Sequence, residues 1–209
     1  MISSALRGDM PLVISIVGDS TGNNVEEWVH LVAQRIAATY NRPVTVHDWK
    51  TEERRYKSQE TYPGAGAPVT IWNGSASGKP PQYSTQWYPK LAPVPVNLTI
   101  ISHSHTNPQR VVEGIEHLIQ AVDTNTLPGG GVVVILQNPR TDNVAELQQS
   151  VVDELRQIYS DPAQGVAVVD VNAAFRAGYL PDLLDTDGAN VNPRGSQLWA
   201  DTVWQALHG

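Results

Sequence analysis

What most restricts the fold of this chain is an alternation. Short continuous apolar runs occupy residues 12–17, 44–46, 69–72, 96–101, 132–136 and 166–171, and longer amphipathic segments stand between them. Runs that are mostly continuous instead of alternating suit strands buried on both faces. The intervening segments carry apolar stripes with the helical period. Val25, Trp28, Val29, Val32 and Ile36 form one, Val111, Ile115, Leu118 and Val122 a second, and Val144, Leu147, Val151, Leu155 and Ile158 a third. Parallel strands need crossover connections, which are right-handed, so the pattern predicts a three-layer α/β/α protein with a parallel, flavodoxin-like sheet. Breakers fall at the expected joints: Asn41-Arg42-Pro43 after the first stripe, residues 128–131 before the fifth run, and Asp161-Pro162 after the third stripe.

Two stretches resist this reading. Residues 50–66 are polar and without a clear period, which predicts a surface segment; residues 78–95 carry five prolines with Tyr83, Trp87 and Tyr88, which predicts an irregular loop, either simply packed or forming an aromatic wall beside a site. Neither looks like a linker, and no repeat is visible. A chain of 209 residues with 41% apolar composition can bury one large core, so residues 1–209 are expected to form a single domain.

Charge and cysteine usage exclude several functions. With a net charge of −7 and no basic cluster beyond Arg54-Arg55, nucleic acid is not an expected partner. No apolar stretch approaches the roughly 20 residues of a membrane-spanning helix, and no charged segment followed by an apolar one marks an export signal. Zero cysteines rule out disulfides, thiolate metal sites and a cysteine nucleophile. The sequons at Asn73 and Asn97 lie in or beside predicted core strands, as chance matches would.

Ligands of open parallel sheets sit beyond the carboxyl ends of the strands. The richest such end is Gly18-Asp19-Ser20-Thr21-Gly22, after the first run and before a helical pattern opening at Val25. A tight, Gly-flanked turn of this kind gathers backbone N–H groups and a serine hydroxyl at one spot. Two kinds of chemistry fit it. Ser20 can be a nucleophile, or the Ser/Thr/Gly/Asn-rich loop can cradle a phosphate as in FMN-binding flavodoxins; a carboxylate at Asp19 inside a phosphate nest counts against the second. Asp19 is expected to brace the turn. Gln137, Asn138 and Arg140 are read as ordinary loop polarity, and His47-Asp48 is a poor metal signal without a third ligand.

Taken with the C-terminal stretch, the turn resembles the SGNH (GDSL-type) hydrolases, a family of serine esterases and acylhydrolases. The resemblance spans nearly the whole chain. Gly-Asp-Ser puts the nucleophile at Ser20, "WNGSASGK" puts the second block's glycine at Gly78, and "SHSHTNP" puts the third block's asparagine at Asn107, or at Thr106 if the register moves by one. "DGANVNPRGSQLWA" resembles the last block, with Asp187 as orienting acid and Gly195 opening a helix whose apolar face is Leu198, Trp199, Val203 and Leu207. The resemblance implies an oxyanion hole from Ser20, Gly78 and Asn107, and an ester substrate, whether lipid, aryl or acylated sugar. It also disfavours an ordinary α/β-hydrolase, although the turn satisfies G-x-S-x-G, because that fold places its elbow serine well inside the chain.

The last block departs from the family at Asn190, which stands where the family has its base histidine. An amide has no proton affinity near neutral pH, so Asn190 can hydrogen-bond but cannot act as a general base. Three explanations stay open: an enzyme altered by removal of its base, a relative that binds an ester or carbohydrate without turnover, or service by another histidine. His103 and His105 lie at the same sheet edge and are the candidates for substrate contact or a replacement base. The resemblance implies no metal and no cofactor, and a small-molecule ester or acylated carbohydrate as partner.

Overall fold

In the computed structural model, which describes residues 2–106 and 108–209, the six apolar runs become strands: β1 (Leu12–Gly18), β2 (Val44–Lys50), β4 (Val69–Asn73), β5 (Val96–Ser102), β6 (Thr126–Leu136) and β7 (Val166–Asp170). A seventh, β3 (Arg55–Tyr62), joins them in one sheet of order β3-β2-β4-β1-β5-β6-β7. Every pairing is parallel except β2 with β3. The strand β1 is central, and the chain fills one side of it with β2, β3 and β4 before crossing to the other. The carboxyl end of β1 is therefore the switch point where such sheets open a crevice.

Helices cover both faces. On one lie α1 (Ile2–Arg7), α2 (Trp28–Tyr40), α6 (Val171–Arg176) and α7 (Pro193–His208); on the other lie α3 (Pro81–Leu91), α4 (Val111–Asp123) and α5 (Ala145–Ile158). Alternate strand residues feed the two cores: Ile14 and Ile16 of β1 pack with α2 and α7, whereas Val17 packs with α3 and α4. Trp28 stacks on Trp199 with ring centroids 6.2 Å apart, and Phe175 meets Trp199 edge-on, so α2, α6 and α7 share one aromatic seam. Burial of each such side chain is worth about 1.5–3 kcal/mol.

The structure corrects three expectations. The polar segment 50–66 contains the strand β3, whose residues are mostly exposed because it lies at the edge of the sheet; only one of its flanks has a partner, and charged side chains protect the other. The stretch 78–95 contains the helix α3, with Pro80 and Pro81 at its start, where a missing N–H costs nothing. Ser84, Tyr88 and Leu91 make its buried stripe. Third, no helix opens at Val25: Ser20–Gly22 is a single 3-10 turn, and α2 begins at Trp28 with Val25 exposed. The serine therefore does not sit at the N-terminus of an α-helix.

Arg42, beside the helix-ending Asn41, is buried and forms no ion pair among the described residues. Its guanidinium donates to the carbonyl oxygens of Ala5, Leu6, Gly8, Met10, Ala67 and Pro68, tying the N-terminal segment to the approach of β4. Burial lowers its pKa. No helix among the described residues is long and apolar enough to cross a membrane.

Candidate active site

The turn after β1 is held from beneath. Asp19 is buried, and its Oδ1 accepts from the Thr21 N–H (3.2 Å), the Thr21 hydroxyl (3.1 Å) and Gln137 Nε2 (3.0 Å), while Oδ2 accepts from the His105 N–H (3.4 Å). Gln137 Nε2 also reaches the Ser102 carbonyl at 2.9 Å, so the ends of β1, β5 and β6 are joined by one amide. A buried carboxylate surrounded by donors is a rigid support. Ser20, next to it, is half-buried and points its hydroxyl the other way.

That hydroxyl meets the far end of the chain. Ser20 Oγ donates to Asn190 Oδ1 at 3.2 Å, and Asn190 Nδ2 donates to Asp187 Oδ2 at 2.6 Å. The amide orientation follows from the neighbours, since only its NH₂ can face a carboxylate. Asp187 is anchored in turn: its Oδ1 accepts from the backbone N–H groups of Ala189 and Asn190, both at 2.9 Å. The Ala189 N–H chiefly, with the Asn190 bonds, holds the Asp187 carboxyl below the usual carboxylate range. Two further bonds fasten this turn to the loop after β6, Thr141 N–H to Gly188 O (2.8 Å) and Asn138 Nδ2 to Ala189 O (3.1 Å).

Just beyond, α7 starts on Asn192, whose Oδ1 caps the Arg194 and Gly195 N–H groups at 2.9 and 3.0 Å. Gly195 has no alternative. A Cβ there would lie 2.1 Å from the Leu183 carbonyl oxygen.

Gly78 occupies a turn on the same rim, closed by Lys79 N–H to Ala76 O (3.1 Å), and Ala76 N–H bonds Gly18 O (2.9 Å) at the end of β1. Its φ of +67° suits glycine, although a side chain would meet nothing. Among the described residues, neither the Ser20 N–H nor the Gly78 N–H donates a hydrogen bond. Asn107 lies outside the described residues.

His103 and His105 are not placed as expected for substrate contact or for a base. His103 is 1% exposed, with Nε2 against the Ser84 hydroxyl at 2.9 Å, and burial lowers its pKa to about 4. His105 is buried, its Nε2 is bonded to Asn138 O at 2.9 Å, and burial lowers its pKa too. Neither ring bonds to Ser20; both brace the loops under the site, because β5 carries them inward instead of onto the rim.

One network escaped the sequence reading. Asp48 Oδ1, at the end of β2, accepts from Asn73 Nδ2 (3.0 Å) and pairs with His30 Nε2 (3.1 Å); His30 Nδ1 meets the Tyr62 hydroxyl (2.9 Å), and Asn73 Nδ2 also donates to Gly22 O (2.8 Å). It links the edge strand to the Ser20 turn through a helix residue with no local signal. Among the described residues no group of three or more His, Cys, Asp or Glu side chains is placed to hold a metal ion.

The seven-stranded, mostly parallel sheet with helices on both faces is the fold of the SGNH hydrolases, as comparison with solved structures shows. The chain has the fold of a GDSL-family lipolytic protein from Veillonella parvula (15% identity, 94% of this chain and 97% of that one, TM-score 0.62). It is similar to a lipase/acylhydrolase from Enterococcus faecalis (14%, 96% of each chain, TM-score 0.65) and to a carbohydrate esterase family 3 protein from Talaromyces cellulolyticus (18%, 94% and 96%, TM-score 0.63). No protein-family model and no curated protein sequence matches the chain.

Proposed function

We propose that this protein is a serine ester hydrolase of the SGNH class whose base position is held by Asn190. The observation that carries this reading is the Ser20–Asn190–Asp187 chain of hydrogen bonds at 3.2 and 2.6 Å, which has the order of a catalytic triad with an amide in its middle. Ser20 Oγ attacks the ester carbonyl, and the oxyanion is held by the Ser20 and Gly78 N–H groups and the Asn107 side chain. Collapse breaks the bond to the alcohol, and water then cleaves the acyl-serine to release the acid. The partner is a small-molecule ester or acylated carbohydrate, in keeping with the lipolytic and carbohydrate esterases that share the fold.

With Asn190 in place the serine proton has no basic side chain to receive it, and turnover is slow. Oxyanion and binding contributions alone leave about 10³–10⁴ over the rate in water. Incubation with 4-nitrophenyl acetate and mass spectrometry of the peptides tests this: acetyl is expected on Ser20 and on no peptide of Ser20→Ala. Labelling elsewhere, or release of nitrophenol unchanged by Ser20→Ala, removes Ser20 from the chemistry. Asn190 itself supports a second reading, a domain that binds such esters without turnover, in which no acetyl is transferred.

A further inference from the structure

All four lysines of the chain, with Arg54 and Arg55, fall within residues 50–90, and that segment holds only three acidic residues, Glu52, Glu53 and Glu60. It therefore carries +3 in a chain of net charge −7. Folding gathers three of these cations over two aromatic rings. The Arg54 guanidinium lies 4.8 Å from the centroid of Trp87, Lys90 Nζ lies 5.0 Å from the same ring, and Lys79 Nζ lies 5.7 Å from Tyr83, whose ring is 6.4 Å from Trp87. A ring attracts a cation without neutralising it. Glu53 pairs with Arg55 and Lys57, which leaves Arg54, Lys79 and Lys90 without a carboxylate among the described residues. By contrast Arg35, Arg140 and Arg156 each meet one.

The rings are fixed from beneath. Trp49 Nε1 on β2 donates to the Tyr83 hydroxyl at 3.0 Å, and Tyr56 on β3 meets the Trp49 ring edge-on at 5.2 Å and donates to Leu91 O at 2.6 Å. Their place is the carboxyl rim of the sheet, since Arg54 ends the turn joining β2 to β3 there and α3 starts just after the Gly78 turn. We infer that this patch is a docking surface for an anionic lipid bilayer, with Trp87 and Tyr83 at headgroup level and Arg54, Lys79 and Lys90 against the negative headgroups. The inference goes beyond the esterase reading and stands without it. Half-exposed indole and phenol rings beside long cationic side chains are the composition that settles at a membrane interface. Cations lie over both rings, so the patch offers charge where a nucleic-acid base would need a bare face to stack on. Among the described residues none of the three side chains donates a hydrogen bond, which leaves them able to follow fluid headgroups. The rest of the chain is acidic, but in about 0.1 M salt the Debye length is about 10 Å, and carboxylates farther than that from the contact are largely screened. Docking on this patch brings the rim that carries Ser20 to the bilayer.

The test is co-flotation of the full chain with vesicles of phosphatidylcholine alone and of phosphatidylcholine with roughly one-third phosphatidylserine, in about 0.1 M and about 1 M salt. A cation near such a surface is worth about fivefold in affinity, so the three predict binding to the anionic vesicles about 100-fold tighter than to the neutral ones, and its loss in about 1 M salt. The triple variant Arg54→Gln, Lys79→Gln, Lys90→Gln is expected to bind the anionic vesicles about 100-fold more weakly. The triple variant Arg110→Gln, Arg176→Gln, Arg194→Gln makes the same change of net charge at exposed residues elsewhere and is expected to bind as the unsubstituted chain does. None of the six side chains is buried, and equal melting temperatures confirm that both variants fold. Equal binding to the two kinds of vesicle, equal losses in the two triple variants, or full binding by the first overturns the docking surface. Binding to a single-stranded oligonucleotide or to polyphosphate, with none to the anionic vesicles, overturns the membrane assignment and gives the patch to a soluble polyanion. No arm measures hydrolysis, so these outcomes are independent of the esterase reading.

Discussion

Restoring a base at position 190 is the sharpest perturbation the site allows. In Asn190→His the ring Nδ1 takes the place of Asn190 Nδ2 against Asp187, and Nε2 takes that of Oδ1 toward Ser20; the ring is longer than the amide, and the half-exposed position gives it room. Asp187 needs no rearrangement, because its Oδ1 is held by two backbone N–H groups that the substitution leaves in place. Since its pKa lies below the usual carboxylate range, it is an anion at neutral pH and stabilises the imidazolium that forms as Ser20 attacks. A positioned general base contributes about 10²–10⁴-fold, equivalent to roughly 2.7–5.5 kcal/mol of barrier. The assay is kcat/KM for 4-nitrophenyl acetate. The gain should grow as pH rises through the new histidine's pKa, near about 6.5 if unperturbed, because only neutral imidazole accepts the proton. Ser20→Ala added to Asn190→His should abolish it. A folded Asn190→His protein no faster than the unsubstituted chain, or a gain that survives Ser20→Ala, would refute the triad argument.

Other consequences concern stability. His103 is buried and neutral, with its pKa lowered to about 4, so the unfolded chain takes up a proton near pH 6.5 that the folded chain refuses until pH 4. Its contribution is complete above about pH 6.5 and is lost as pH falls toward 4, by roughly 3 kcal/mol; urea midpoints at pH 7 and 4.5 should lie closer together for His103→Gln than for the unsubstituted chain. Gly195→Ala drives a methyl to 2.1 Å from Leu183 O and should cost at least about 2 kcal/mol, seen as a melting temperature roughly 4–8 °C lower; an unchanged melting temperature would refute the close approach. Asn192→Ala removes the cap of α7 and should cost about 1–2 kcal/mol, with Asn192→Asp recovering most of it in the same urea titration.

The helix α3 and the strand β3 show where local reading stops. Buried strands and amphipathic helices announce themselves because one or both faces must be apolar along their length, and β1, β5, α4 and α7 were legible for that reason. An edge strand has no such requirement, and its polar residues make it look like a loop until β2 lies beside it. In α3 Pro80 and Pro81 stand at the start, which a helix tolerates, but Pro89 lies inside it and reads as a breaker, so only the packing of Tyr88 and Leu91 identifies the segment. His103 and His105 were read as site residues from position alone; their burial depends on which way β5 turns its end, which no neighbouring residue encodes.

The SGNH-type layering and the serine turn follow from the order of the residues, because strand, turn and helix patterns are set by neighbours a few positions apart. Tertiary structure alone decided that Ser20 meets Asn190 across 170 residues, and that His30 and Asn73, from two other elements, hold the Asp48 carboxylate. Contacts of that kind depend on how the sheet brings distant segments to one edge, and that arrangement exists only once the whole core has closed.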